Sequence, residues 1–519
     1  MNMKNNLQKE TKTNNNQLDF SLKLIAKTSM IVFIGLVLSK ILLYLYRVII
    51  ARNFGPEVYG LFSLAFIIIQ WFVALFSLGL PDGLLRYISF YMGKKEIDKV
   101  KHIFKKSLII ILVSGIISGI FLFLLSDFIS IKFFHDPNLI IFLKIFSILI
   151  PLWALSNIFI TVIRAFERIN VYSFFVNILQ NAIKLATLVL FILVGINSSK
   201  AVIYSFFLGI LVTLIGPYLY CKYKLPVIFE KYKMEEKEKN KVTKDLISYS
   251  WPIMFLSTLT IIFYWADSFI IGYFKSISDV GLYNAAVPIA MLLGFFPELF
   301  MQLFFPLTTK EFSRKRMNVV EELSKQTAKW IFILNLPVFI LIILFPGVII
   351  NILFGAEYIT AVNSLRFLVI GSFFSSIFII SNSLISILGK SKLILTDMLI
   401  TFTINLFLNI LLVPVYGING AAFSTMISVI ILNLLFFFQA KKYSSIIPLK
   451  RKMIGIFLIG IISGILLYFI KQFVIINLFT LTLLGLSFVL FYFLLIIITG
   501  CLDKNDLMII KAVKKKIIG

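Results

Sequence analysis

Stretches of about twenty predominantly apolar residues alternate along the chain with shorter polar segments. Fourteen such stretches are read, at about 27–50, 58–80, 106–126, 139–163, 171–195, 201–221, 248–271, 280–304, 329–350, 363–388, 393–413, 417–440, 453–470 and 477–500. Each is long enough, as a helix, to cross roughly 30 Å of hydrocarbon. The pattern predicts an all-α polytopic membrane protein. Pro252, Pro288, Pro297, Pro306 and Pro337 interrupt the seventh to ninth stretches and predict kinks there. The polar segments divide the chain into a disordered tail at 1–22, an N-lobe of six helices at 23–222, a linker at 223–245, a C-lobe of six at 246–440, two further helices at 441–500, and a basic tail at 501–519.

Composition sharpens this picture. Hydrophobic residues make up 60% of 519, against about 45–50% in soluble domains, so no large soluble domain fits. The net charge of +26 raises nucleic acid as a partner, but the location of the charges argues otherwise. Forty of the fifty Lys and Arg fall in segments on the N-terminal side of the alternation, five on the opposite side and five inside helices. One missed helix would scramble that asymmetry. It predicts cytoplasmic N- and C-termini in a cell membrane, with the excess charge facing anionic lipid. The first apolar run is too long for a signal-peptide core and is expected to stay as a helix. Cys221 and Cys501 fall at predicted cytoplasmic helix ends, so no disulfide is expected.

The candidate chemistry lies in the polar residues that the apolar runs carry. Lys40 sits near the middle of the first helix, and Arg47 follows seven residues later on the same face. Mid-membrane Lys or Arg costs roughly 2.5–3.5 kcal/mol on insertion scales and is functional by default. The bland alternatives are an internal ion pair, or snorkelling for Arg47. Helix five carries Asn177, Gln180, Asn181 and Lys184 on one face, a stripe suited to sugar hydroxyls and a phosphate or, equally, to interhelical bonding. Asp397, Thr401, Asn405 and Asn409 form a similar stripe on helix eleven, read first as a packing seam. Asp267 and Glu298 are the intramembrane acids, candidates for pairing with a cation or for ion coupling. Asp82 and Arg86, four apart, suit either a mutual pair or a gate. The two histidines, His102 and His135, lie in loops on opposite sides and assemble no metal site. No cofactor is expected beyond an unidentified coupling cation. A weak echo links the halves: Arg47 to Ala51 with Glu57 to Leu61, and Ser268 to Gly272 with Asp279 to Tyr283, each spanning the end of its half's first helix and the start of its second.

Several of these segments resemble the multidrug/oligosaccharidyl-lipid/polysaccharide exporter superfamily, in particular its polysaccharide-transporter branch. The resembling residues are Ala51-Arg52-Asn53-Phe54-Gly55-Pro56-Glu57-Val58-Tyr59-Gly60, Gly79-Leu80 running to Arg86-Tyr87, Asp267 to Gly272, and Val280-Gly281-Leu282-Tyr283. Phe305-Pro306, Phe354-Gly355-Ala356-Glu357-Tyr358 with Leu365-Arg366, Gly389-Lys390, and Gly417 to Ala422 complete the set. The resemblance implies two six-helix lobes around a central cavity, plus two C-terminal helices, working by alternating access. It implies a flippase for lipid-linked (polyprenyl-pyrophosphate) oligosaccharide and no enzymatic activity. The polyprenyl tail would stay in lipid, and glycan-assembly enzymes would be partners of a monomeric protein.

On that reading Lys40, Arg47 and Lys184 meet phosphate, Asn177 and Asn181 meet sugar, and Asp267, Glu298, Asp82 and Arg86 serve coupling or gating. Two other classes stay open: an ion-coupled exporter of small molecules on the same fold, which predicts an acidic cavity, and a membrane glycan polymerase or ligase, which predicts large external loops.

Overall fold

The computed structural model describes residues 34–196, 198–302 and 304–503; the tail at 1–22 and the basic residues from 504 onward lie outside the described residues. Twelve continuous helices are long and apolar enough to span a membrane, and two of these are each two helices joined at a glycine. The described spans are therefore fourteen. They are α1 (34–54), α2 (56–76, continued after a break by Leu80–Gly93), α3 (Ile97–Phe133), α4 (Asn138–Ala165), α5 (Ile169–Leu193), α6 (Ser199–Lys224) and α7 (Glu236–Phe274). There follow α8 (Ile277–Ser313), α9 (Met317–Leu344), α10 (Ala356–Ile387), α11 (391–416), α12 (418–444), α13 (Lys452–Lys471) and α14 (Leu478–Ile498). No strand occurs among the described residues. The fold is all-α and polytopic, as the apolar pattern predicts.

The joints follow from local chemistry. Gly55 adopts φ 75°, a left-handed conformation open to glycine, and Pro56 opens α2 at the position where a missing N–H costs nothing. Gly417 makes the same kind of joint between α11 and α12 with φ 56°. The Nζ of Lys275 donates to the Pro414 carbonyl at 2.9 Å, satisfying an acceptor near that joint. Ser276 and Asp279 form a reciprocal cap that starts α8, and Asn477 and Thr480 do so for α14. The predicted interruption of helix eight is a tight turn at Leu292–Gly294, just before Pro297.

The chain divides into two compact units, Met1–Trp265 and Ala266–Gly519, so the dividing point falls within α7. In the first unit, Leu84 and Ile88 of the α2 continuation pack with Ile103 and Phe104 of α3 and with Ile158 and Val162 of α4. The mixed charge of the linker reads as a solvated linker or short helix; the segment is helical from Glu236, and the residues before that dock on α3. Glu230 pairs with Lys101 at 2.9 Å, its carbonyl accepts from Lys105 at 2.8 Å, and Tyr232 bonds His102 at 3.0 Å. Basic residues at the start of α3 supply the charge that the linker's acids need.

In the second unit, Phe304, Ile331, Ile380 and Phe436 share a core. α13 and α14 are fastened to α9. Leu467 and Phe488 pack with Phe345, which follows α9, and the Tyr492 hydroxyl donates to the Ile333 carbonyl at 3.1 Å. Beyond α14, Asp503 accepts from the fully buried Lys329 at 2.9 Å and pairs with Lys452 at 2.8 Å. Burial raises the Asp503 carboxyl, but the bonds from Lys452 and Lys329 and their charges outweigh it and hold the group at about 2.

Candidate functional site

In the first unit the break at Gly55 folds α2 back beside α1. Tyr59, fully buried, is thereby brought against Arg47, whose guanidinium hydrogen-bonds the tyrosine hydroxyl. Arg47 is half-buried and lies over Trp265 of α7, 5.9 Å from the ring centre. Trp265 meets Phe66 edge-on at 6.5 Å, Phe66 stacks on Trp153 at 6.1 Å, and Phe206 meets Phe66 at 5.8 Å. The ammonium of Lys184 sits over Phe206 at 4.6 Å. An aromatic floor thus runs from one cation to the other. Among the described residues, neither Arg47 nor Lys184 has a carboxylate partner. Lys184 is only 6% exposed, so its charge is paid back by a ring face alone. A Cβ at Gly209 would collide with the Lys184 stem, so this glycine makes the room that the lysine occupies. Lys40 lies seven residues before Arg47 and is exposed.

The α5 stripe faces α1. Asn181 donates to Ser39 at 3.0 Å, and Asn177 donates to Ser173 at 3.0 Å beside Gly35. Asn177 lies in a wider, π-helical turn, Phe174–Leu179, a device that shifts the register of the face beyond it. The Asn181–Ser39 bond ties α5 to α1, the Asn177–Ser173 bond stays within α5, and Lys184 lies one turn beyond Asn181.

Asp267 organises the second unit. Its buried carboxylate accepts from Tyr283 at 2.7 Å, Asn409 at 2.8 Å, Asn405 at 3.5 Å, and Thr425. All four donors are neutral, and no cation among the described residues pairs with it. The Oδ1 of Asn409 is buried without a hydrogen-bond partner, next to the charge. A carboxylate beside an unpartnered carbonyl-type oxygen and hydroxyls is oxygen-only chemistry, suited to a small hard cation or a proton. The described residues hold no group of three or more His, Cys, Asp or Glu that could hold a metal ion.

The helix-eleven stripe, read as a packing seam, therefore splits. Asp397 is held by Gln439 at 2.9 Å, whereas Asn405 and Asn409 reach Asp267. Tyr283 and Thr425 escaped the sequence reading. The signal for Tyr283 was present in the echo between the halves. Each half's second helix offers a tyrosine to a charge at the end of its first: Tyr59 to Arg47 and Tyr283 to Asp267. The sign of the charge is opposite in the two. Glu298 is exposed on α8 and does not join the Asp267 group.

Asp82 and Arg86 do not pair; Arg86 lies over Tyr249 of α7 at 4.2 Å and Asp82 is exposed. The Tyr87 hydroxyl donates to the Asp245 carbonyl at 3.2 Å. Gly79 and Gly83 approach Ser250 so closely that a Cβ at either would collide with it. The α2 continuation and α7 are in direct contact there.

The model of the family described as polysaccharide biosynthesis protein matches residues 25–312, more than half of the chain. The chain belongs to this family. A second model, of the MatE family, matches residues 252–411. A Shigella flexneri protein named for O-antigen transport is 25% identical over 390 residues, covering 74% of this chain and 89% of the relative. A Haloferax volcanii protein named as a low-salt glycan biosynthesis flippase is 27% identical over 252 residues, 49% of this chain and 51% of the relative. Among solved structures, a lipid II flippase in an inward closed conformation superposes with TM-score 0.66 at 17% identity, covering 89% of this chain and 98% of the other. This polysaccharide biosynthesis family member is a multi-pass membrane protein.

Proposed function

We propose that the protein is a flippase that moves polyprenyl-pyrophosphate-linked oligosaccharide from the cytoplasmic to the outer leaflet of the cell membrane, by alternating access. The observation that carries this reading is the pair Arg47 and Lys184: positive charge held in a membrane protein, without a carboxylate partner, at the two ends of an aromatic floor. A sugar-pyrophosphate headgroup cannot cross hydrocarbon alone, because its polar groups and charges lose their water. A guanidinium offers the planar fork and an ammonium the point charge that a pyrophosphate needs. Lys40 extends the cationic face, and Asn177 and Asn181 offer amides to sugar hydroxyls by exchanging their present partners. The names of the relatives, O-antigen transport and glycan flipping, support the same cargo class. An exporter of organic cations would need the opposite sign at this floor.

Coupling to a cation gradient is assigned to Asp267 with Asn405, Asn409, Thr425 and Tyr283. The basic residues predict that both termini face the cytoplasm. The test is deletion of the gene in its host. Lipid-linked oligosaccharide accumulates on the cytoplasmic leaflet and is cleared by the wild-type gene, while a Lys40→Ala/Arg47→Ala version leaves it in place. Clearance by that double variant removes the cationic wall from the account.

A further inference from the structure

We infer that the basic end of the first unit carries a binding site for a lipid phosphate, between α3 and α7. A cavity of about 560 Å³ opens there. His102 forms its inner wall and is fully engaged, with Nδ1 3.0 Å from the Tyr232 hydroxyl and Nε2 2.9 Å from the Thr243 hydroxyl. Lys239 on the wall is already neutralised by Glu236 at 2.9 Å. Lys106 and Lys244 are not: both line the cavity, both are exposed, and neither has an ion pair or hydrogen bond among the described residues. The cavity therefore keeps two ammonium groups without an ion pair or hydrogen bond among the described residues; the Glu236 carboxylate is bonded to Lys239 and acts on Lys106 only at longer range, and with the Asn240 amide beside them the two lysines suit one phosphate.

The second observation concerns depth. Lys106 is the last cation before the apolar run of α3, and Lys244 the last before that of α7. Ile247 and Trp251 complete the lining on the apolar side, and Trp251 is 53% exposed. Tryptophan at the change from basic to apolar sequence marks headgroup depth. A free anion would use the lysines and leave Ile247 and Trp251 without a role, whereas a lipid phosphate uses both, its chains lying on the apolar rim. Basic pockets between membrane helices are established headgroup sites in general. The site does not depend on the flippase reading, because binding is read without transport.

The test is lipid retention by native mass spectrometry. The full-length protein is purified and incubated with phosphatidylglycerol, with phosphatidylcholine, or with undecaprenyl pyrophosphate; inorganic pyrophosphate serves as a competitor. The variants are Lys106→Ala/Lys244→Ala and, as a control on other exposed lysines, Lys222→Ala/Lys224→Ala. The wild type and the control retain one anionic lipid in preference to phosphatidylcholine, and the first variant retains it about thirtyfold more weakly, the loss expected for two cations near a membrane surface. Stronger retention of undecaprenyl pyrophosphate than of phosphatidylglycerol makes the occupant the isoprenoid lipid; the reverse makes it a bilayer phospholipid. Equal retention by the first variant and wild type overturns the site. So does an equal loss in the control, which means diffuse surface charge, or full displacement by equimolar inorganic pyrophosphate, which means an anion site without a lipid. A Trp251→Ala variant separates the two halves of the site: it weakens lipid retention and leaves the preference for anionic headgroups intact.

Discussion

Replacing Lys184 with methionine removes a buried charge and keeps most of the side chain that fills the space left by Gly209. Two terms set the outcome. Lysine at mid-membrane costs roughly 2.5–3.5 kcal/mol on insertion scales. The ring of Phe206 at 4.6 Å returns up to about 2 kcal/mol when desolvated. No carboxylate among the described residues adds to that return, and the charge of Arg47 acts against it. The difference leaves Lys184→Met more stable than wild type by about 1 kcal/mol, roughly fivefold in the folded-to-unfolded ratio. Transport should move the other way, falling at least about tenfold, since one lost charge-assisted bond to phosphate is worth about 1.5–3 kcal/mol. Unfolding in detergent, followed by tryptophan emission, reads the first quantity; flipping of a fluorescent lipid-linked glycan in proteoliposomes reads the second. A variant that is less stable than wild type, or that transports at the wild-type rate, refutes the view that this charge is held for cargo.

Other outcomes follow from the same geometry. Asp267→Asn should abolish any stabilisation of the protein by the coupling cation and uncouple transport from its gradient; thermal shift across sodium concentrations and across pH checks this, and an unchanged cation response in the variant contradicts it. Asp503 is held at about 2, below its ordinary value near 3.8. It therefore contributes stability that is fully present above about pH 4 and is lost as pH falls toward 2, amounting to about 1–2 kcal/mol after screening by solvent. The wild type should thus exceed Asp503→Asn in unfolding midpoint at pH 6, and the gap should narrow below about pH 4 and close as pH falls through about 2. Gly209→Ala should displace the Lys184 stem and lower transport while the protein stays monodisperse, and the loss should shrink in a Lys184→Met background.

Much of the fold was legible because the membrane imposes a single rule. Every span must be apolar and helical, so length and hydropathy locate it. The joint at Gly55-Pro56 was legible because glycine followed by proline is a local stop that shows in the sequence itself. What lay beyond the sequence was partnership. Arg86 sits four residues after Asp82, the spacing of a helical pair, yet it prefers the face of Tyr249, a residue more than 160 positions away that no periodicity brings near. Asn405 and Asn409 looked like a seam because their spacing is that of any packed face; only Asp267, more than 130 residues earlier, gives them another meaning. Lys184 was visible as a mid-helix cation. Its isolation from every described carboxylate was not, because burial and partners are properties of the packed chain.

The central claim is that the positive charges of Arg47 and Lys184 are kept without a carboxylate partner so that an anionic headgroup can supply the counter-charge. The most direct measurement compares, in proteoliposomes, flipping of one fluorescent glycan joined to the same polyprenyl chain through pyrophosphate or through an uncharged link. The account predicts that the wild-type protein moves the pyrophosphate form far faster and that Arg47→Gln/Lys184→Gln loses this preference. A double variant that keeps the full preference, or a wild type that moves both forms alike, contradicts it.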